Sequence, residues 1–308
     1  MRTYLVTGGC GFIGSHLADA LLAEGHAVRI LDDLSTGKLA NKPAAAELTL
    51  GDVADAQTVA HAMRGVAGCF HLAAVASVER GNQDWLGTHR VNLTGTITVL
   101  EAARGAGPVP VVYASSAAVY GGNPALPLNE AAPPRPLSAY GADKLGCELH
   151  ARVAGSVHGV PSTGLRFFNV YGPRQDPDSP YSGVISIFCN RLRAGQGVTV
   201  SGDGGQTRDF VFVSDVVRAL IAGLRAASVE AGVFNVCTGR ATSVLDLAHG
   251  IAGSLGVAPR IAFGPARPGD IRASLGDPSA ARAALGFDAE VGLAEGLART
   301  LGTCMVEG

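Results

Sequence analysis

An octapeptide, Thr7-Gly8-Gly9-Cys10-Gly11-Phe12-Ile13-Gly14, separates a β-branched, apolar run at 3–7 from an amphipathic segment at about 12–24. Glycines at that spacing, between a strand and a helix, specify a βαβ unit that binds a dinucleotide. Gly8 permits the tight turn, Gly11 lets the backbone approach a pyrophosphate, and Gly14 lets the helix lie close on the sheet. The helix N-terminus, with Phe12 and Ile13 in its first turn, then faces the phosphates. Glycine triplets also mark ordinary turns, so this one takes its meaning from residues further along the chain.

Two later features support the dinucleotide. Leu31-Asp32 closes a second strand about twenty residues on, where a carboxylate accepts hydrogen bonds from ribose hydroxyls and repels a 2′-phosphate. NAD is therefore expected rather than NADP, with Asp33, Ser35, Thr36 and Gly37 bordering its adenosine half. Asp52 and Val53, after a third strand, are placed to meet the adenine edge, and Leu72-Ala73-Ala74 ends a fourth strand with small residues beside the cofactor. The competing role for Asp32 and Asp52 is as turn acids or helix caps.

Apolar runs predict strands at 3–7, 27–31, 47–50, 67–71, 109–114 and 162–168. Residues recurring every three or four positions predict helices at about 12–24, 55–63, 86–105 and 139–157. That alternation predicts an α/β fold, a Rossmann-type doubly wound parallel sheet. After Asn169 the texture changes to Gly- and Pro-rich loops such as Gly172-Pro173, Asp176-Pro177 and Ser179-Pro180, which predicts a smaller C-terminal substrate-binding lobe. The expected division is 1–170 for the NAD-binding domain and 171–308 for the lobe. The 207–240 stretch, with Phe210-Val211-Phe212-Val213 and Val233-Phe234-Asn235-Val236, is expected to rejoin the first domain.

The chain has 24 basic and 26 acidic residues among 308, a formal net charge of −2, and no Lys/Arg-rich block. Neither nucleic acid nor an anionic membrane is an expected partner. No apolar run approaches the ~18 residues of a membrane span. Met1 leads directly into a strand-like run without the regions of a signal peptide, so a soluble, cytoplasmic protein is expected. Cys10, Cys69, Cys147, Cys189, Cys237 and Cys304 are scattered singly, which fits reduced core thiols better than a metal site or a disulfide framework. Arginine is abundant, but lysine occurs only as Lys38, Lys42 and Lys144.

That scarcity gives weight to Tyr140-Gly141-Ala142-Asp143-Lys144, which sets a phenol and an ammonium four residues apart on one helix face. A phenol with an ordinary pKa of ~10 is a poor base at neutral pH, but a neighbouring ammonium and an oxidised nicotinamide favour the phenolate. Ser115-Ser116 ends the strand before this helix.

These features together resemble an extended short-chain dehydrogenase/reductase of the NAD-dependent sugar epimerase/dehydratase family. The similarity spans nearly the whole chain. It includes Val91-Asn92, Ser115 to Gly121, Arg166-Phe167-Phe168-Asn169-Val170-Tyr171-Gly172-Pro173, Gly202-Asp203-Gly204, Thr207-Arg208-Asp209-Phe210 and Arg267-Pro268-Gly269-Asp270. The resemblance implies that Ser116 is the catalytic hydroxyl, Tyr140 the acid/base, and Lys144 the group that binds the nicotinamide ribose and favours the phenolate. It further implies that Asn92 orders the cofactor site, with a backbone-bonding Asn as the plain alternative, and that Phe167 lies beside the cofactor. Arg208 and Arg267 would bind a nucleoside diphosphate through guanidinium forks. Asn169 would bind the diphosphate or sugar, and Asp270 a ribose hydroxyl. Ser77, Val78, Val184, Ser201 and Ser274 complete the implied substrate contacts.

Members of the family oxidise sugar C4 and diverge at the 4-keto intermediate. Relatives that eliminate water carry an Asp-Glu pair after the catalytic hydroxyl, and decarboxylating relatives commonly carry a Glu there; this chain has Ala117-Ala118. The expectation is 4-epimerisation of a nucleoside-diphosphate sugar, in which the ketone turns and is reduced on its other face. UDP-Glc/UDP-Gal and UDP-GlcNAc/UDP-GalNAc are the expected pairs. Ser274 stands where some relatives have a tyrosine, leaving room for an N-acetyl group. Ser201 stands where many have an aromatic residue near the base, and its loss removes a stacking contact worth ~1 kcal/mol. The base is left open between uridine, thymidine and others. Competing readings are dehydration by acids from elsewhere, epimerisation of a uronic acid, and a non-catalytic NAD sensor. Helices 86–105 and 139–157 imply a homodimer by the same resemblance.

Overall fold

The computed structural model describes residues 1–176, 183–266 and 271–303. The first strand, β1 (Thr3–Thr7), is buried along Tyr4, Leu5 and Val6, the signature of a central strand covered on both faces. It leads through the glycine loop into α1 (Phe12–Ala23), then β2 (Ala27–Asp32) and β3 (Glu47–Leu50). The next unit comprises α2 (Ala56–Met63), β4 (Gly68–His71), α3 (Val78–Gln83), α4 (Trp85–His89) and α5 (Gly95–Gly105). It continues with β5 (Val111–Ser116), a 3₁₀ turn at Ala117–Tyr120, α6 (Ala139–His158) and β6 (Ser162–Phe167).

Two predicted boundaries move for local reasons. β5 begins at Val111 rather than 109, because Pro110 has no N–H for the ladder and contributes only its carbonyl, to Cys69. The helix predicted over 86–105 is α4 and α5 joined by a wider, π-type turn at Arg90–Thr94. Within that turn the Asn92 carbonyl accepts the Thr96 hydroxyl at 2.6 Å.

The chain then enters the lobe through β7 (Asn169–Tyr171), α7 (Val184–Arg193), β8 (Val198–Ser201) and β9 (Thr207–Phe212). It returns by α8 (Val213–Arg225) and β10 (Gly232–Val236), and finishes with β11 (Ala241–Ser243), α9 (Val244–Leu255), β12 (Ile261–Gly264), α10 (Ser279–Leu285) and α11 (Leu293–Thr303).

Seven parallel strands form one sheet in the order β10-β6-β5-β4-β1-β2-β3. Leu17, Ala18 and Leu21 of α1 and Val216, Val217 and Leu220 of α8 cover one face. Val59 and Met63 of α2, Val99 and Ala103 of α5, and Cys147, Ala151 and Ala154 of α6 cover the other. The order reverses between β1 and β4, and in a doubly wound sheet the crevice at the carboxyl ends there is where ligands bind. The predicted α/β class agrees with this architecture.

The 207–240 stretch divides. α8 and β10 belong to the large sheet, whereas β9 pairs with β7 and β11 in a separate three-stranded sheet. β8 and β12 form a two-stranded sheet, and Phe188, Leu192, Val200, Phe210, Leu247 and Leu297 build the core of the lobe. No helix among the described residues is long and apolar enough to cross a membrane.

Candidate active site

At the mouth of the crevice, Gly8 has φ +70°, and a Cβ there would stand 2.8 Å from the Ala73 nitrogen on the loop after β4. A Cβ on Gly14 would meet the Gly8 carbonyl oxygen at 2.2 Å, so this glycine lets α1 close on the loop's own backbone rather than on a strand. The glycine pressed on the sheet is Gly9, whose Cβ would lie 2.7 Å from the Ile30 side chain, a role the spaced triplet did not assign to it. A Cβ on Gly11 would meet the Gly8 carbonyl oxygen alone, at 3.1 Å, outside its own helix and chain neighbours. Gly11 is also the N-cap of α1 and brings no side-chain acceptor, which leaves the first-turn N–H groups of Phe12, Ile13 and Gly14 without a side-chain cap, an arrangement suited to an anion.

Asp32 is buried at the end of β2, where its two oxygens accept the Cys10 and Leu34 N–H groups, each at 2.9 Å. Burial raises its carboxyl above the ordinary range against the pull of those bonds. Each oxygen keeps a lone pair for a ribose hydroxyl. A Cβ on Gly37 would sit 2.8 Å from Asp32 Oδ1, so glycine is needed there to leave the carboxylate uncrowded. Asp33 holds Ser35 through its N–H and hydroxyl, and Thr36 is exposed beside them. Asp52 pairs with Arg90 at 2.6 Å and accepts the Ala54 N–H, while Val53 is buried under Gly95. Leu72, Ala73 and Ala74 follow β4, half-buried. This cradle of close glycines, open helix N–H groups and a buried carboxylate fits a dinucleotide with a free adenosine 2′-hydroxyl.

At the other end of the crevice, Ser116 ends β5 with its Oγ accepting the Ala118 N–H at 3.1 Å, which leaves the hydroxyl able to donate. Ser138 caps α6 by accepting the Gly141 N–H at 3.1 Å. A Cβ on Gly141 would meet the Ala118 carbonyl at 2.7 Å, so the glycine beside Tyr140 brings the first turn of α6 onto the turn that follows Ser116. Lys144 is buried, donates from Nζ to the Ala114 carbonyl at 2.8 Å, and lies 5.8 Å from the centre of the Tyr140 ring. Serine, phenol and ammonium are thus assembled on β5 and α6, with Phe167 paired across from Ser116 at the end of β6.

Two buried networks support this assembly, and neither was expected from the sequence. In the first, Ser115 donates to Glu148 at 2.5 Å, and Arg166 on β6 grips the same carboxylate at 2.9 and 2.7 Å. Arg166 also donates to Tyr120 OH at 2.8 Å, and Tyr120 donates to Asn235 on β10 at 2.7 Å. In the second, Thr7 Oγ1 accepts the Leu72 and Ala73 N–H groups and so donates to His71 Nδ1 at 2.8 Å. His71 Nε2–H is then the donor to Thr96 at 3.1 Å. Burial and the Lys144 charge lower the His71 pKa to about 3, so the imidazole stays neutral. The Asn92 carboxamide is committed to both backbone groups of Val75, at 2.8 and 3.2 Å, and so orders the loop after β4.

On the substrate side, Ser77 is buried and its hydroxyl caps α3 by accepting the Arg80 N–H, while Val78 is exposed. Asn169 is exposed at the start of β7, two residues beyond the end of β6, and is paired with Phe210 on β9. Arg208 lies on β9 and donates to the Thr207 carbonyl at 2.8 Å. The Ser274 N–H donates to that same carbonyl at 3.1 Å, which sets Ser274 beside Arg208. Val184 opens α7, and Ser201 ends β8 against Gly264 of β12. Arg267 and Asp270 lie outside the described residues.

The family model for the NAD dependent epimerase/dehydratase family matches residues 4–237. Over 98% of this chain and 97% of its own length, a UDP-glucose 4-epimerase of Mycolicibacterium smegmatis is 42% identical. A UDP-N-acetylglucosamine 4-epimerase from Methanobrevibacter ruminantium, solved with UDP-N-acetylmuramic acid, superposes with a TM-score of 0.95 at 34% identity, covering 100% of this chain and 99% of that one. A Thermus thermophilus UDP-glucose 4-epimerase solved with NAD gives a TM-score of 0.92 at 37% identity, covering 99% of this chain and 100% of that one.

Proposed function

The chain belongs to the NAD dependent epimerase/dehydratase family, and on that premise we propose that it is an NAD-dependent 4-epimerase of nucleoside-diphosphate sugars. The observation that carries the choice of reaction is that no acid directly follows Ser116 in the chain. Ala117 and Ala118 follow it directly, and the nearby carboxylates are committed, Glu148 to Arg166 and Ser115, Glu130 to the Asn235 N–H at 2.6 Å. Among the described residues no acid directly follows Ser116 to draw a proton from C5 of a 4-keto sugar, which favours return of hydrogen to C4.

Tyr140, as the phenolate, takes the proton of the sugar 4-hydroxyl and returns it in the second half, as microscopic reversibility requires. Ser116 donates a hydrogen bond to the same oxygen, and Lys144 supplies the positive charge that favours the phenolate. When bound, NAD supplies the oxidant for C4 and, in the return half, the reductant. It is held by Gly8, Gly11 and Gly14, by the first turn of α1 and by Asp32. Arg208 neutralises the diphosphate, and Ser274 beside it leaves volume for an N-acetyl group, so both UDP-Glc/UDP-Gal and UDP-GlcNAc/UDP-GalNAc are substrates in this reading. The cytoplasm, which holds nucleotide sugars and keeps thiols reduced, is the compartment it implies. A homodimer is part of the reading: Ile97 of α5 and Leu149, Val153 and Val157 of α6 stand exposed on neighbouring helices.

The test is incubation of the purified protein with UDP- and dTDP-sugars, read by NMR. Isomers of unchanged mass with no net NADH are expected, with kcat lowered ~10²-fold or more in Tyr140→Phe. Loss of water from the sugar, or full activity of that variant, rejects the reaction. No turnover of the N-acetylated pair rejects the role given to Ser274.

A further inference from the structure

Asp143 lies inside the Tyr140–Lys144 turn and has no part in the proton transfer assigned to Tyr140. It stands three residues after Tyr140, on the adjoining face of α6. The residue is buried, and its single hydrogen bond runs between Oδ1 and His89 Nδ1, at 2.8 Å. Oδ2 is buried without a partner. His89 closes α4 with its side chain 43% exposed, so one end of the pair meets solvent while the other is buried on the helix that carries Tyr140 and Lys144.

We propose that His89 and Asp143 form a positioning pair that sets the charge beside Tyr140 and thereby the pH at which its phenol can act as a base. The proposal rests on the acid/base role of Tyr140 in the epimerase reading. With His89 protonated the pair is neutral. With His89 neutral, the pair leaves a bare carboxylate beside the phenol, and a like charge disfavours the phenolate. The remaining charges on the surrounding elements are engaged or turned elsewhere. Lys144 donates to Ala114, Glu148 is held by Arg166, and Arg90 pairs with Asp52. Glu101 and Arg104 of α5 pair with each other. On α3, Glu79 is exposed and bonds Gln83, and half-buried Arg80 makes no bond to Asp143. Among the described residues, His89 is the titratable partner that Asp143 has. Cys147, one turn along α6, feels both Asp143 and Lys144, and burial keeps its thiol protonated.

The experiment is a pH titration of tyrosinate absorbance in the NAD-loaded protein, with the Tyr140→Phe counterpart of each variant as its blank. Asp143→Asn is expected to lower the midpoint and His89→Gln to raise it, each by roughly half a unit to one unit, with the double variant returning close to the wild type. Asp143→Ser replaces the first variant if that one does not fold. The acid limb of the kcat profile moves in the same directions. A merely structural pair would give shifts of one sign or none, and either result overturns the proposal. If the wild type turns over no nucleotide sugar, the epimerase reading falls, while the absorbance titration still decides this one.

Discussion

Gly14 has no room for a methyl group, since a Cβ would be driven to 2.2 Å from the Gly8 oxygen. Gly14→Ala therefore has to push α1 away from the loop that it closes, and the first-turn N–H groups move with it. The expected result is protein that folds but loses NAD on gel filtration, read as the ratio of cofactor to protein absorbance; full retention would count against the cradle. Residues of this kind are legible in sequence because their requirement is local: a glycine spacing, or a Tyr and a Lys one helical turn apart. Asn92 and Ser77 show where legibility stops. The sequence gives Asn92 an ordering or backbone-bonding role without naming its partner, and puts Ser77 among the substrate contacts; in the structure the Asn92 carboxamide bonds Val75 and the Ser77 hydroxyl caps α3. For Asn92 the partner is seventeen residues away in the chain, and only the fold brings the two together.

Between elements, α6 is fastened to the sheet by Lys144 at Ala114 and, one turn later, by Glu148 at Arg166. Both side chains of the ion pair are 7% exposed, so removing one leaves the other charged, buried and unpaired. Arg166→Leu is expected to cost about 3–5 kcal/mol, measured by denaturant unfolding, with more loss of activity than Glu148→Gln, which keeps one acceptor. His71 adds a pH dependence with a definite sign. Its folded value of about 3 lies below the ordinary 6.5, so the unfolded chain binds the extra proton in that window. Its contribution is complete above pH 6.5 and is lost as the pH falls towards 3. The midpoint of urea unfolding should therefore fall less steeply between pH 6.5 and 4 in His71→Gln than in the wild type. Strand and helix positions are readable from periodicity, and Pro110 explains the late start of β5. The π-type turn is not readable, because its Asn92 side chain bonds Val75 in the loop after β4 and the Asn92 carbonyl also accepts Cys147 of α6, both remote in sequence.

For the whole molecule, the doubly wound parallel class follows from the alternation of strands and helices, but the route of the chain through the lobe does not. Phe210-Val211-Phe212 and Val233-Phe234-Asn235-Val236 look alike as sequence, yet one run joins the small sheet and the other the large. Pattern reports burial, and both runs are buried or half-buried. The exposed apolar residues of α5 and α6 carry the prediction at this scale. Leu149→Glu with Val153→Glu should convert a dimer to a monomer in sedimentation velocity, and an unchanged sedimentation coefficient would remove these helices from the interface. The place of β10 at the edge of the sheet has a consequence for synthesis. Its neighbour β6 ends at Phe167, and the strand that covers its open side begins at Gly232. At ~5–20 residues per second, a nascent chain displays that unpaired edge for some seconds while the lobe is being made. A polypeptide cut near residue 170 would display it permanently, and such an edge pairs readily with other chains.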